Sequence, residues 1–138
     1  MLLALPRIVL AGVSSGVGKT TMTTAFIAHL RTRGITVQPF KVGPDYIDPS
    51  HLACAASQPC SNLDTWMMPP SRMLDIFCAA AASADIAVIE GMMGLYDGQS
   101  STSKRRILKT HLLKIIIYYV SIVGVQLYCL CSISLPRL

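Results

Sequence analysis

Lys19 and Thr20 close the run Gly12-Val13-Ser14-Ser15-Gly16-Val17-Gly18-Lys19-Thr20-Thr21, and their types and spacing point to phosphate chemistry. Glycines let a backbone curl so that successive N–H groups face inward and meet phosphate oxygens. A helix starting at the end of such a turn adds its unpaired N–H groups and its positive end. A lysine there reaches β- and γ-phosphates, and a threonine hydroxyl ligates Mg²⁺. The run is a P-loop, and a nucleoside triphosphate is its expected ligand. Its spacing is unusual: the general pattern wants a glycine at position 13, where Val13 stands, and the glycine lies one place earlier at Gly12.

Further charged residues follow the next two apolar runs. Glu90 ends Ile86-Ala87-Val88-Ile89-Glu90, where P-loop proteins place a Mg²⁺-directed carboxylate; the plain alternative is a solvated acid. Asp45, after Pro44, is either a turn-former or a second metal-directed acid. Lys41 is either a surface lysine or a counter-charge for a phosphoryl group in transfer. For Tyr46 and Asp97, local context alone decides nothing. His51 reads as a packed or capping residue, and Met67-Met68 and Met92-Met93 read as apolar filler.

Positioning these groups takes alternating strands and helices. Ile8-Val9-Leu10-Ala11 reads as a buried strand. A helix over 21–33 follows, with Met22, Ala25, Phe26 and Leu30 on its apolar face and Gly34 at its C-terminal end. Residues 35–40 form a second strand, whose Pro39 suits an edge or a strand end. Asp48 or Ser50 caps a short helix to about Ser57, and residues 58–70 carry turn chemistry throughout. Ser71 caps a helix running into Ala79–Ala82. Residues 85–90 are a third strand, and 91–98 a glycine-rich loop. This alternation predicts an α/β fold, a P-loop NTPase-like parallel sheet with flanking helices. Ligands of such sheets lie at the carboxyl ends of the strands, the edge on which the P-loop, the 41–48 loop and the 90–98 loop all fall.

The chain has 138 residues and a formal net charge of +5. The charge is unevenly spread: residues 1–103 hold six basic and seven acidic side chains, while 104–138 hold six basic and no acidic ones. No nucleic-acid surface is therefore expected on the body. Five cysteines without disulfide or zinc spacing, and no secretory leader, suit the cytoplasm.

Taken together the motifs resemble the cobyrinic acid a,c-diamide synthases of cobalamin biosynthesis. The likeness rests on residues 11–21, on Val37-Gln-Pro-Phe-Lys-Val-Gly-Pro-Asp-Tyr-Ile-Asp48, on Asn62-Leu-Asp64 with Pro69-Pro70, and on residues 84–98. The long P-loop spacing is one this family shares with dethiobiotin synthetase. The resemblance covers 7 to about 99 and implies ATP- and Mg²⁺-dependent, glutamine-dependent amidation of the a and c acetate carboxylates of cobyrinic or hydrogenobyrinic acid. It implies Mg²⁺ on Thr20, Asp45 and Glu90, and nucleotide contacts from Gly12, Ser14, Ser15, Gly16, Val17, Gly18, Lys19, Thr20 and Thr21. Lys19, Lys41 and Asp97 would act in the reaction, with Tyr46, Asp48 and Asp97 towards the corrinoid. An ionised substrate carboxylate needs no general base to attack a γ-phosphate; it needs relief from anion–anion repulsion, which the two lysines and Mg²⁺ would provide. Ammonia would then displace the acyl phosphate. Its source in the family, a glutaminase domain, is not matched by this sequence, so a partial synthetase domain over 1–103, inactive alone, is expected.

Residues 104–138 match no family stretch. A basic cluster at 104–106 precedes 21 uncharged residues, 115–135. That pattern suits a weak transmembrane helix or a frame-shifted extension, and the tail is the only part expected to meet a membrane. A competing functional reading is a membrane-tethered, non-catalytic nucleotide switch of the partitioning-ATPase kind. The early loop lysine of those proteins is lacking in Gly12-Val13-Ser14. An incomplete sheet, with an apolar face left open, is a further expectation.

Overall fold

A computed structural model describes residues 5–94, 116–122 and 125–132. In chain order the elements are β1 (Arg7–Gly12), α1 (Lys19–Thr32), β2 (Val37–Val42), α2 (Asp48–Ala56), β3 (Ser61–Leu63), α3 (Pro70–Ala80), β4 (Ile86–Gly94), β5 (Ile116–Ile122) and β6 (Val125–Ser132). The sheet order is β3-β2-β4-β1-β6-β5. The first four strands are parallel, and β6 and β5 are antiparallel additions beyond β1.

Because successive side chains of a strand point to opposite faces, each central strand feeds two apolar layers. On one face Val9, Phe40, Ala87 and Ile89 pack with Leu63, Phe77 and Ala81 under α3. On the other, Val37 and Val88 pack with Ile27 of α1 and Leu52 and Ala56 of α2. Phe40 and Phe77 stack with ring centroids 4.8 Å apart. The same alternation sends Lys41, four residues after Val37, and Glu90, two after Val88, to the α1/α2 face. β2 and β4 run in a register that sets Lys41 directly beside Glu90.

Several boundaries differ from the sequence reading. β2 begins at Val37, and Pro39 sits beside Val88 inside the sheet. It is tolerated because β3 reaches only Phe40–Val42 of β2, so the ladder on that side has not begun at Pro39. The Gln38 amide closes the gap, donating to the carbonyls of Pro39 and Pro59. β3 lies inside the segment read as turns, since three residues are too few to show an alternating pattern. On α1 the buried stripe is Thr23 and Ile27, and Met22 and Ala25 face outward. Thr23 is admitted because its hydroxyl donates to Lys19 O. Gly34, at φ +78°, reverses the chain after Arg33, and its N–H donates to Arg31 O. α3 opens on Pro70, not Ser71. Proline suits a first helical position because its missing N–H would be unpaired there anyway. His51 is exposed rather than packed. β4 continues through Gly94, so half of the expected 91–98 loop is strand; Asp97 lies outside the described residues.

The uncharged tail holds two strands, Ile116–Ile122 and Val125–Ser132, where a transmembrane helix was one expectation. Isoleucine, valine and tyrosine favour a pleated strand over a helix. β6 pairs along the whole of β1, from Arg7 beside Ser132 to Gly12 beside Leu127, so β1 is flanked on both sides. Among the described residues no helix is long and apolar enough to cross a membrane.

Phe40 is fully buried between sheet and α3. Replacing it by alanine is expected to lower the unfolding free energy by about 3–5 kcal/mol, as large-to-small core changes do, read from the midpoint of urea unfolding.

Candidate functional site

At Gly12 the chain leaves β1 and folds back over itself. A Cβ at this position would collide with the Val17 side chain and press on the Lys19 stem. The first glycine of the loop is therefore needed at 12, with five residues to Gly18, because the loop closes down onto that point. Gly16 and Gly18 take positive φ values of 76° and 86°, which side-chain-bearing residues rarely adopt. Gly18 precedes α1, whose first turn holds no acidic residue and receives no side-chain cap. Its first residues line the cleft, and the amides of a helix start are donors for an anion. Lys19, buried on its stem, bends back so that Nζ donates to Ser14 O at 2.9 Å.

A cleft of about 450 Å³ lies over this helix end. The P-loop and the start of α1 line it with Ser15, Gly16, Gly18, Lys19, Thr20 and Thr21, β2 with Lys41, the following loop with Asp45, α2 with Asp48, and β4 with Glu90, Met92 and Met93. Thr20 Oγ1 donates to Glu90 Oε1 at 2.7 Å, and Lys41 Nζ donates to the same oxygen at 2.9 Å. Lys41 also donates to Asp48 Oδ2 at 2.6 Å and stands 3.7 Å from Asp45 Oδ2. Lys41 and Glu90 are 2 % and 0 % exposed. Burial opposes the charge of Lys41, but the hydrogen bonds and attraction of Asp48 and Glu90 outweigh it and raise its pKa above the ordinary 10.5. For Asp48, partial desolvation pushes upward and Lys41 more than offsets it, holding the carboxyl below its ordinary 3.8.

Asp45 has two tasks. Its Oδ1 accepts from the amides of Ile47 and Asp48, capping the start of α2 as a turn-forming aspartate does. Its Oδ2 faces Lys41. Neither Asp48 nor Ser50 is the cap: Asp48 is the first helical residue, and the Ser50 hydroxyl donates to Ile47 O. Asn62 holds the loop in place from β3, donating from Nδ2 to the carbonyls of Gly43 and Asp45 at 2.8 Å each.

Of the residues singled out from sequence, Thr20, Lys41, Asp45, Asp48 and Glu90 meet in one cluster beside the loop. Gly12 and Val17 lie under the loop rather than in the cleft lining, and Ser14 contributes its carbonyl to Lys19. Tyr46 is 89 % exposed and does not line the cleft. Met92 and Met93, read as filler, do line it, and Met93 holds a left-handed φ of 52°. Met92 packs over Gly43, where a Cβ would run into its thioether. No sequence signal distinguishes these methionines from core residues. Asn62 was visible only as part of a matching motif. Cys60 is no nucleophile at neutral pH, because burial, aided by the Glu90 charge, pushes its thiol up to about 12.

The donor set fits Mg²⁺. All candidate ligands are oxygens, the hard donors this ion prefers. Glu90 Oε2 is buried, with no hydrogen-bond partner among the described residues. The Thr20 hydroxyl donates its hydrogen bond to Glu90 and keeps its oxygen lone pairs for a cation.

The lowered pKa of Asp48 has a stability consequence of definite sign. Stability from its ionised form is present above its unfolded pKa, near 3.8, and is lost as pH falls through the lower folded value. The difference in unfolding free energy between the natural chain and Asp48→Asn is expected to be flat from pH 5 to 8 and to shrink below pH 4. Denaturant titrations across that range check it; a difference that grows below pH 4 would contradict the assignment.

The model of the CobQ/CobB/MinD/ParA nucleotide binding domain matches residues 8–124, reaching past the segment near 99 where the motifs end. The cobyrinate a,c-diamide synthase of Syntrophotalea carbinolica is 55 % identical over 93 residues, covering 67 % of this chain and 20 % of that protein. The enzyme of the same name from Thermoplasma volcanium is 50 % identical over 99 residues, 72 % of this chain and 22 % of its own length. The hydrogenobyrinate a,c-diamide synthase of Streptomyces coelicolor is 50 % identical over 95 residues, 69 % and 20 % of the two chains. The chain thus spans about a fifth of the length of these relatives. With a matching domain model over most of its length and a phosphate-binding loop at the expected strand–helix junction, the chain belongs to the CobQ/CobB/MinD/ParA family of nucleotide-binding domains.

Proposed function

We propose that this domain binds ATP with Mg²⁺ and serves the amidation of corrinoid acetate side chains, activating a carboxylate as its acyl phosphate. The observation that carries the reading is the meeting of Thr20, Lys41 and Glu90 within hydrogen-bond distance at the mouth of the P-loop. The names of the relatives support the substrate class, since they are cobyrinate and hydrogenobyrinate a,c-diamide synthases.

Each residue has a task in that reading. The loop amides and the start of α1 hold the phosphate chain, and Lys19 swings from Ser14 O to the β- and γ-phosphates. Thr20, Asp45 and Glu90 hold the metal, and Lys41 neutralises charge on the phosphoryl group in transfer. When bound, the nucleotide supplies the phosphoryl group and Mg²⁺ the charge that lets one anion approach another. Asp48, tied to Lys41, orients that ammonium, and Tyr46, exposed and outside the cleft lining, is assigned to the corrinoid only on the family resemblance. The attacking group is a carboxylate already ionised at neutral pH, so the cleft needs cations more than a base. Ammonia from glutamine would come from a glutaminase domain, as the family resemblance implies, and the residues of this cleft are assigned the nucleotide-dependent step.

Lys19→Ala is expected to weaken binding of a non-hydrolysable ATP analogue with Mg²⁺ at least tenfold while leaving the circular dichroism spectrum unchanged, as measured by calorimetric titration. Equal affinity of the natural and variant chains would remove the nucleotide from the reading.

A further inference from the structure

Strand β4 breaks step with its neighbour just past Glu90. Leu10 of β1 pairs with Glu90, and the next paired residues are Gly12 and Gly94. Ala11 alone lies between them on β1, whereas Gly91, Met92 and Met93 lie between them on β4, so β4 bulges there. The bulge lies tight against β1: a Cβ at Gly91 would press on Leu10 O. Bulges beside a site commonly re-aim a side chain. Continued alternation from Glu90 would send Met92 to the α1/α2 face and Met93 to the α3 face. Met93 instead takes a φ of 52°, a left-handed conformation that a side-chain-bearing residue rarely adopts, and both methionines line the cleft.

They supply its only apolar side chains among the described residues; the rest of the lining is glycine, hydroxyl, ammonium and carboxylate. Met92 is occupied with Gly43, where its thioether fills the space a Cβ would take. Met93 stays 46 % exposed, three residues beyond Glu90. Packing does not explain a strained backbone that turns an apolar side chain towards water, and such strain collects where a site needs it. In the proposed reaction the γ-phosphate passes to a carboxylate, and water is the competing acceptor. Water attack on the γ-phosphorus breaks its bond to the ADP oxygen and gives ADP, inorganic phosphate and a proton, with no acyl phosphate formed. We propose that Met93 is a specificity-determining residue, turned into the cleft by the β4 bulge as an apolar wall that denies water the approach to the γ-phosphate until the carboxylate substrate occupies it.

This inference rests on the nucleotide-binding part of the proposed function. The test is steady-state release of phosphate from Mg·ATP by the full chain without corrinoid, beside calorimetric titration with the non-hydrolysable analogue. Met93→Gly keeps the backbone, since glycine adopts a positive φ freely, and removes the wall. Its hydrolysis is expected to run about tenfold faster than that of the natural chain, a barrier lowered by ~1.4 kcal/mol, at unchanged affinity for the analogue. Met93→Leu restores an apolar side chain and is expected to return hydrolysis to the natural rate. Met93→Asn, which also tolerates the left-handed region, is expected to behave as the glycine variant does, and it decides if that variant does not fold. A folded glycine or asparagine variant without the gain, or a leucine variant with it, would overturn the proposal. So would a gain that persists when Lys19→Ala is added, since the hydrolysis would then lie outside this cleft. Failure of the analogue to bind the natural chain would instead count against the proposed function.

Discussion

Two charges of opposite sign sit side by side on neighbouring strands, with almost no access to water. Lys41 and Glu90 are register partners across β2 and β4, and their 2.9 Å bond is the constraint on which the cleft depends. Taking one such ion out of water costs several kcal/mol, and losing one partner of a buried pair typically costs about 3–5 kcal/mol. A pair of this kind is weak as a source of stability, because apolar residues in the same space would hold the sheet as well. Its value lies in what it positions: the same Glu90 oxygen accepts from Thr20 of α1, and the same ammonium donates to Asp48 of α2. Four elements of the fold are referred to one point.

The P-loop is shaped by a comparable economy of space. Gly12 is buried under Val17 and the stem of Lys19, so the loop is a lid closed on the end of β1 rather than an open arch. Its extra residue relative to the general pattern provides the length for that return. The turn after β2 is as firmly held, with Asp45 capping α2, Asn62 gripping two carbonyls, and Gly43 lying under Met92. Rigid walls of this kind suit a site in which a few cations must be offered to anions at fixed distance.

The sheet continues on the far side of β1. A strand in that position with no neighbour would leave a row of backbone groups unpaired beside an apolar face, a hazard for aggregation. β6 covers it along its length, and β5 follows β6. The apolar, β-branched composition that reads in isolation as a poor membrane segment also suits a β-strand.

Much of the site was legible in the chain because its chemistry is local. Gly-Lys-Thr after an apolar run names a phosphate loop from a few consecutive residues, and the carboxylate at the end of Ile86-Ala87-Val88-Ile89 is visible in the same way. The strand–helix alternation set the fold class and the edge on which the loops gather. What the chain could not disclose depends on partners distant in sequence. β3 is too short to announce itself, and Pro39 was placed by how little of β2 that strand covers. Asp45 showed both of its oxygens in use only once the turn had folded, and Met92 left the class of filler only once Gly43 lay beneath it. Sequence order determined which side chains carry charge and which loops carry them. Register between β2 and β4 decided that Lys41 and Glu90 meet, because pairing two strands is a long-range choice that neither strand encodes alone.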